Sequence, residues 1–198
     1  MPPVIRLAQE SDADRLLNIY APIVNETAIS FELVPPTVAE FRQRISNILS
    51  SHNWLIIEEG NSILGYAYAS KFRDREAYQW TAEVTIYVDP AHHRRGIAQA
   101  LYLSLFEALR LQGFCNAIAA IVLPNPASVR LHEKLGFKPL GVLRSVGYKL
   151  GQWHDIGWWQ VKFQDDRPNP VPPQSVSKFV STPAWNKALA AGLSLFQR

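Results

Sequence analysis

Strict alternation of apolar and polar side chains marks residues 80–88, and a period of two residues is typical of a β-strand. The apolar positions 82, 84, 86 and 88 share one face of this predicted strand. The opposite face carries Glu83, Thr85 and Tyr87. We therefore expect one face of the strand to be buried and the other to carry polar groups.

A repeat near 3.6 residues predicts helices in other parts of the chain. The strongest repeat spans residues 96–111, and Gly113 suits the C-terminus of this helix. The same repeat predicts another helix over residues 13–21. Its end is placed at residue 21 because Pro22 should end or kink the helix.

Capping residues indicate where two further helices begin. Thr37 is followed three residues later by Glu40, a pair typical of a capping box. Asn125 precedes Pro126, and proline suits the first position of a helix. This last helix should end at Gly136.

Short apolar runs bounded by turn residues predict the remaining strands. They lie at residues 4–7, 54–58, 63–70, 117–122, 140–146 and 158–163. Because helices and strands are interspersed along the chain, we expect an α/β or α+β protein.

The composition of the chain changes after Phe163. The proline-rich run 168–173 predicts an extended linker. Residues 183–196 predict an amphipathic helix, with one apolar face formed by Trp185, Leu189, Leu193 and Phe196. We therefore expect a main domain over residues 1–163 and an appendage over residues 164–198.

Composition narrows the class of protein. The 198 residues are 47% hydrophobic and 19% charged, which excludes a disordered or collagen-like chain. No apolar run is long enough to span a membrane, and the first residues lack the apolar core of a secretory signal, so a cytoplasmic protein is expected. With Cys115 as the single cysteine and no metal-type histidine spacing, we expect neither a disulfide nor a metal site.

The net charge of +3 is small, and the densest basic cluster runs from His92 to Arg95. It indicates a local anion site, so neither nucleic acid nor a membrane is an expected partner. Gly96 and Ala98 permit close approach to the backbone, and a helix N-terminus beside Arg94 attracts anions, which suits a pyrophosphate. The alternative, a turn with a solvated basic face, stays open from the local sequence.

Two places in the sequence suggest proton transfer. Glu83 lies on the polar face of the strand that leads into the anion loop, where a carboxylate can act as a general base. Ser128 and His132 are four residues apart and share one helical face. The alternatives are a solvent-facing strand glutamate and an ordinary surface histidine.

A basic and aromatic segment precedes the strand that carries Glu83. Here Arg73 and Arg75 lie between Phe72 and Tyr78, and guanidinium groups bind carboxylates at two points. The alternative is a charged surface loop. The tryptophans at positions 153, 158 and 159 are expected in the core or in an interface.

Together these residues resemble the GNAT superfamily of acetyl-CoA-dependent N-acetyltransferases. The acyl-CoA loop of that superfamily follows the pattern Gln/Arg-x-x-Gly-x-Gly/Ala. The corresponding segment here is His93-Arg94-Arg95-Gly96-Ile97-Ala98. The glycine and the alanine match the pattern, and His93 replaces the usual Gln or Arg.

Four further segments are similar to the phosphinothricin and methionine sulfone/sulfoximine acetyltransferase group. They are Tyr78–Glu83, Tyr87–Pro90, Leu123–Ser128 and Trp153–Gly157. The similarity covers residues 4–163 and implies a GNAT fold. Such a fold has a central mixed, mostly antiparallel twisted sheet of about seven strands flanked by about four helices, here followed by a C-terminal tail.

The resemblance also implies roles for individual residues. Glu83 matches the general base, and His132 matches a histidine thought to assist proton transfer. Acetyl-CoA would be bound by Ile86, Tyr87, Val88, His93, Arg94, Arg95, Gly96, Ile97, Ala98, Asn125, Ser128 and Lys134. The acceptor site would be shaped by Phe31, Arg73, Arg75, Tyr78 and Thr81.

The reaction that the resemblance implies is direct transfer of the acetyl group to the primary amine of a small amino-acid-like substrate. It implies acetyl-CoA as the donor, no metal, and a homodimer. Two alternatives remain, namely an acceptor amine at a peptide or protein N-terminus, and a non-catalytic acyl-CoA-binding module.

Overall fold

The computed structural model describes residues 2–165 and 168–196, which contain seven strands and five α-helices. The strands are β1 (Val4–Leu7), β2 (Trp54–Glu59), β3 (Ser62–Lys71), β4 (Thr81–Val88), β5 (Asn116–Leu123), β6 (Lys138–Lys149) and β7 (Gln152–Lys162). The helices are α1 (Ala13–Glu26), α2 (Val38–Leu49), α3 (Ile97–Gln112), α4 (Pro126–Lys134) and α5 (Pro183–Ala190).

All seven strands form one sheet in the order β1-β2-β3-β4-β5-β7-β6. Only β4 and β5 run parallel, and the other neighbours are antiparallel. The parallel register is short, from Thr81 opposite Asn116 to Glu83 opposite Ile118. Beyond this point β4 and β5 separate, which opens a cleft in the middle of the sheet.

Helices cover both faces of the sheet, so the core has two layers. On one face, α1 and α2 pack against β2 and β3 around Trp54, Phe41 and Tyr66. On the other face, α3, α4 and α5 cover the central strands. The mixed, mostly antiparallel sheet expected from the sequence is confirmed, and the five helices correspond to the four expected around the sheet and the one expected in the C-terminal segment.

Local capping signals are confirmed. The Thr37 amide donates to Glu40 Oε2 at 2.7 Å, and the Glu40 amide donates to Thr37 Oγ1 at 3.3 Å. Gly113 ends α3 with φ at 98°, a left-handed conformation that glycine adopts without a steric cost. Asn125 Oδ1 accepts from the Ser128 amide at 3.1 Å at the start of α4.

The predicted end of the first helix at residue 21 is wrong, because α1 continues through Pro22 to Glu26. Proline has no N–H to donate to the carbonyl four residues earlier, so the helix loses one hydrogen bond. Val24, in the next turn, is fully buried. Burial of this apolar side chain offsets the lost bond.

The last two strands are longer than predicted. The predictions 140–146 and 158–163 correspond to β6 and β7, but β7 begins at Gln152. Shifts in register accompany Gly141 and the segment from Leu143 to Gly147, and these irregularities hide the alternation that identifies a strand. Pairing between β6 and β7 maintains both strands despite these interruptions.

The C-terminal segment packs against α3. Helix α5 ends at Ala190 and a separate turn of 3₁₀ helix follows, so the single helix predicted over residues 183–196 is wrong in its extent. Trp185 is 2% exposed within the core. Ser104 Oγ, on α3, donates to the Leu189 carbonyl at 2.8 Å and accepts from the Gly192 amide at 3.1 Å. Within residues 2–165 and 168–196, no helix is long and apolar enough to cross a membrane.

Candidate active site

A cleft opens where β4 and β5 separate, and it connects the two faces of the sheet. Its walls include residues 84–87 of β4 and residues 120–122 of β5. The start of α4 contributes Asn125 and Ser128. Beyond Glu83, the register gives the β5-facing edge of β4 no strand partner, so backbone groups on that edge are available to an extended ligand.

Glu83 lies at the closed end of this cleft. It pairs with Ser70 on one side and Ile118 on the other, the last position before the strands separate. Burial raises the pKa of the half-buried Glu83 carboxyl above its ordinary value, and the positive charge of Arg73 acts in the opposite direction. A carboxylate whose basicity is increased in this way is suited to accept a proton from an amine.

Arg73 lies in an aromatic cluster close to Glu83. Its guanidinium is 4.6 Å from the Phe72 ring centre and 5.7 Å from that of Trp158. The Tyr78 ring packs edge-on against Phe72 at 5.9 Å. No local pattern assigns Trp158 to this site, because only the pairing of β5 with β7 brings it there.

Arg73 and Arg75 are both exposed, and Arg73 is the one whose charge acts on Glu83. Thr81 begins β4 and lies two residues before Glu83, so both side chains share one face of the strand. That face is the one covered by α1, because Tyr87 on the same face packs against Tyr20 at 5.0 Å.

Phe31 lies on the loop between α1 and α2 and packs on Gly147 of β6. A Cβ at Gly147 would lie 2.1 Å from Phe31 Cε2, so only glycine allows this contact. Lys149 is 5% exposed and donates from Nζ to the Ser30 carbonyl at 2.7 Å. Sequence reasoning missed Gly147 and Lys149, which anchor the loop that carries Phe31.

His132 is buried in the wall of the cleft, with both ring nitrogens in hydrogen-bonding range of partners. Nδ1 is 2.8 Å from the Ser128 carbonyl oxygen, which can only accept, so Nδ1 carries the proton. Nε2 then accepts from the Tyr102 hydroxyl at 3.0 Å. Burial lowers the pKa of His132, and the bond to Ser128 acts in the opposite direction. The alternative of an ordinary surface histidine is therefore wrong, because His132 is buried and neutral.

The basic loop before α3 lies at the cleft's α3 side. Gly96 is the N-cap residue of α3 with φ at 75°, and Arg94 has φ at 65°. Arg94, Gly96 and Lys134 line a groove with Gln99. Arg95 instead forms an ion pair with Glu59 at 2.9 Å. Of the two arginines, Arg94 is the one that lines the groove.

The structure thus places the predicted phosphate-binding loop on one face of the sheet, and Phe31 and Thr81 of the predicted acceptor site on the other face, which the Glu83 side chain shares. The phosphate-type loop and α4 lie on the α3 face. Phe31, Tyr87 and the polar face of β4 lie on the α1 face. Among the described residues, no group of three or more His, Cys, Asp or Glu side chains could hold a metal ion.

A divided sheet with a basic glycine loop at the start of the following helix defines the chain as an acetyltransferase of the GNAT class. Residues 5–158 match the acetyltransferase (GNAT) domain family, and the chain belongs to that family. The resemblance and the fold class inferred from the sequence are confirmed, and the protein is an N-acetyltransferase.

Within this family, the chain is similar to several acetyltransferases whose substrates are named. The phosphinothricin N-acetyltransferase of Streptomyces viridochromogenes is 38% identical over 175 residues, which cover 88% of this chain and 93% of that protein. The L-methionine sulfoximine/L-methionine sulfone acetyltransferase of Salmonella typhimurium is 30% identical, covering 81% and 95%. A phosphinothricin acetyltransferase from Sinorhizobium meliloti, solved in complex with AcCoA, has a TM-score of 0.80 at 31% identity, covering 89% and 99%.

Proposed function

We propose that this chain transfers the acetyl group of acetyl-CoA directly to the primary amine of a small amino-acid-like substrate of the phosphinothricin or methionine sulfone type. The observation that carries the proposal is the half-buried Glu83 carboxyl at the closed end of the β4–β5 cleft. It lies close to Arg73 and its aromatic neighbours, on the face of the sheet opposite the phosphate-type loop. The names of the relatives support this choice of donor and acceptor.

The residues of the α3 face fit acetyl-CoA, which supplies an activated acetyl thioester. Ile86, Tyr87 and Val88 offer main-chain groups on the β4 edge, to which the pantetheine arm would bind like an added strand. Asn125 and Ser128, in the cleft wall, would contact the end near the thioester. The loop His93-Arg94-Arg95-Gly96-Ile97-Ala98 and Lys134 would hold the phosphates. Within that loop, Arg95 would act through its ion pair with Glu59.

Glu83 would act as the general base. An amine attacks a thioester only in its neutral form, so an ammonium group must first lose a proton, directly to Glu83 or through water. A β4 amide near Ile86 would polarise the thioester carbonyl. His132, neutral and held by Tyr102, would assist proton transfer in the cleft.

The acceptor would lie on the α1 face of Glu83. Arg73, whose charge acts on Glu83, would bind a carboxylate at two points, and Arg75 on the same segment is the second candidate. Phe31 and Tyr78 would form walls for the side chain, and Thr81 would donate to a sulfone or phosphinate oxygen.

The proposal is tested by following release of free thiol from acetyl-CoA across a panel of amines. The panel should contain phosphinothricin, methionine sulfone, a decarboxylated analogue and a short peptide. We expect rapid release with the two amino acids. Release with the peptide alone would favour an N-terminal acetyltransferase, and tight binding of acetyl-CoA without release would favour a binding module.

Removing the Arg73 guanidinium should raise KM for amino-acid acceptors by about 10- to 100-fold, since hydrogen bonds to charged groups contribute about 1.5–3 kcal/mol. The KM of the decarboxylated analogue should change much less. Arg73→Ala should also move the acidic limb of the pH profile to higher pH, because Arg73 lowers the pKa of Glu83.

The matched control is Arg75→Ala, which removes the same group two residues away. A larger acceptor effect in Arg75→Ala than in Arg73→Ala would transfer the carboxylate-binding role to Arg75. Equal losses for acceptors with and without a carboxylate would argue against both.

We also propose that the chain forms a homodimer through β6. This strand is at the edge of the sheet, and the unpaired backbone groups of an edge strand can pair with a strand of another chain. Its surroundings expose large apolar side chains, among them Leu140, Val142, Leu143, Tyr148 and Trp153. Light scattering should give twice the chain mass of 22.4 kDa, and Leu143→Lys should shift it towards a single chain. A single-chain mass for the unaltered protein would contradict this.

The cytoplasmic location stays a prediction.

A further inference from the structure

We propose that residues 192–196, which we name the C-terminal clamp, are a working part of the acyl-donor site. The clamp holds the loop before α3 in its phosphate-binding shape and supplies one wall of the phosphate groove. This inference rests on the proposed use of acetyl-CoA. It assigns a function to a segment beyond the family match, which ends at residue 158.

The first observation is the close contact between the clamp and Gly96. A Cβ at Gly96 would lie only 2.1 Å from the Leu195 carbonyl oxygen. The clamp backbone therefore rests directly on the residue that caps α3. Gly96 also has φ at +75°, so any other residue would be strained there even without the clamp.

The second observation is the way in which the clamp fixes Arg95. The Phe196 ring lies 4.8 Å from the Arg95 guanidinium, a distance typical of a cation–π contact. On its other sides, Arg95 contacts Glu59 at 2.9 Å and His92 Nδ1 at 3.2 Å. Arg95 therefore holds the loop between β4 and α3 in place, and the Phe196 ring of the clamp provides one of its contacts.

The third observation is that the clamp is anchored to α3 itself. A Cβ at Gly192 would lie 1.9 Å from the Ala100 carbonyl oxygen, so the two backbones are in direct contact. The Gly192 amide donates to Ser104 Oγ at 3.1 Å. Because the clamp and the loop are both fixed to one helix, little conformational entropy remains to be lost when a phosphate binds.

The groove stays open with the clamp in place. Its volume is about 520 Å³ and its lining combines Arg94, Gly96, Gln99 and Lys134 with Ser194 and Leu195 of the clamp. Arg94 and Lys134 provide positive charge, and Ser194 provides a hydroxyl group near them. This arrangement fits a phosphate group of acetyl-CoA, with the clamp as a wall of the groove.

The test is calorimetric titration of CoA into the full-length protein and three variants, together with steady-state kinetics. Phe196→Ala should weaken CoA binding by about 2- to 30-fold, the range that corresponds to a cation–π contact. Phe196→Tyr keeps the aromatic ring and should restore binding. Val180→Ala, in the same C-terminal segment and 40% exposed, is the control and should bind CoA normally.

In Phe196→Ala the KM for acetyl-CoA should rise, while kcat and the acceptor KM stay unchanged. A merely structural role would lower all activity together and would reduce the melting temperature. Unchanged or tighter CoA binding in Phe196→Ala overturns the clamp, and tighter binding would mean that the segment obstructs the groove. Absence of CoA binding in the unaltered protein would instead refute the proposed function.

Discussion

Glu83→Gln should lower turnover by about 10²–10⁴-fold while acetyl-CoA binding stays nearly intact. The amide has the shape of the carboxyl but cannot accept a proton from the ammonium group. Glu83 lies on the α1 face of the cleft, away from the groove lined by Arg94 and Lys134, so donor affinity should not depend on it. Single-turnover kinetics and calorimetry would measure the two quantities separately.

The pH profile gives a second measure of the same role. The base must be ionised, and burial raises the pKa of Glu83, so activity should fall on acidification at a pH above the ordinary pKa of a glutamic acid. This limb should be absent in Glu83→Gln. The control is Glu107→Gln on α3, whose side chain is 46% exposed and pairs with Arg110. Near-normal turnover of Glu83→Gln at neutral pH would remove Glu83 from the mechanism.

Features encoded by neighbouring residues could be predicted from the sequence. The capping box at Thr37 and Glu40 and the C-terminal glycine of α3 depend on hydrogen bonds and φ angles within a few residues. The alternation along β4 likewise reports its two faces, of which one contacts α1 and the other α3. These interactions are local, so the residues that form them can be recognised in a single sequence.

Features that depend on distant pairing could not be predicted in this way. The sequences of β4 and β5 contain no pattern that shows where the two strands separate after Glu83, yet this separation creates the cleft. Trp158 reaches Arg73 only through the register of β7 against β5. The burial of His132 against Tyr102 and Phe137 likewise depends on how distant elements pack, so the local sequence left an ordinary surface histidine open as the alternative.

The same distinction applies to the C-terminal segment. Its apolar face could be recognised from the spacing of Trp185, Leu189, Leu193 and Phe196. Its docking place could not, because the complementary features are Ser104 and the exposed backbone near Ala100 on α3. The segment reaches the loop before α3 only because the chain turns at Gly192, where α5 has already ended.

Trp185→Ala should lower the free energy of unfolding by about 3–5 kcal/mol, a large part of the ~5–15 kcal/mol typical of folded proteins. Trp185 is 2% exposed and belongs to the core cluster that includes the α3 side chains Leu101 and Leu105, so its removal leaves a cavity between α5 and α3. Urea unfolding should show a lower midpoint with an unchanged slope. Val180→Ala, at an exposed position, should leave the midpoint unchanged. A loss below about 1 kcal/mol for Trp185→Ala would show that α5 contributes little to the core, since a buried aromatic removed from a packed site costs more than that.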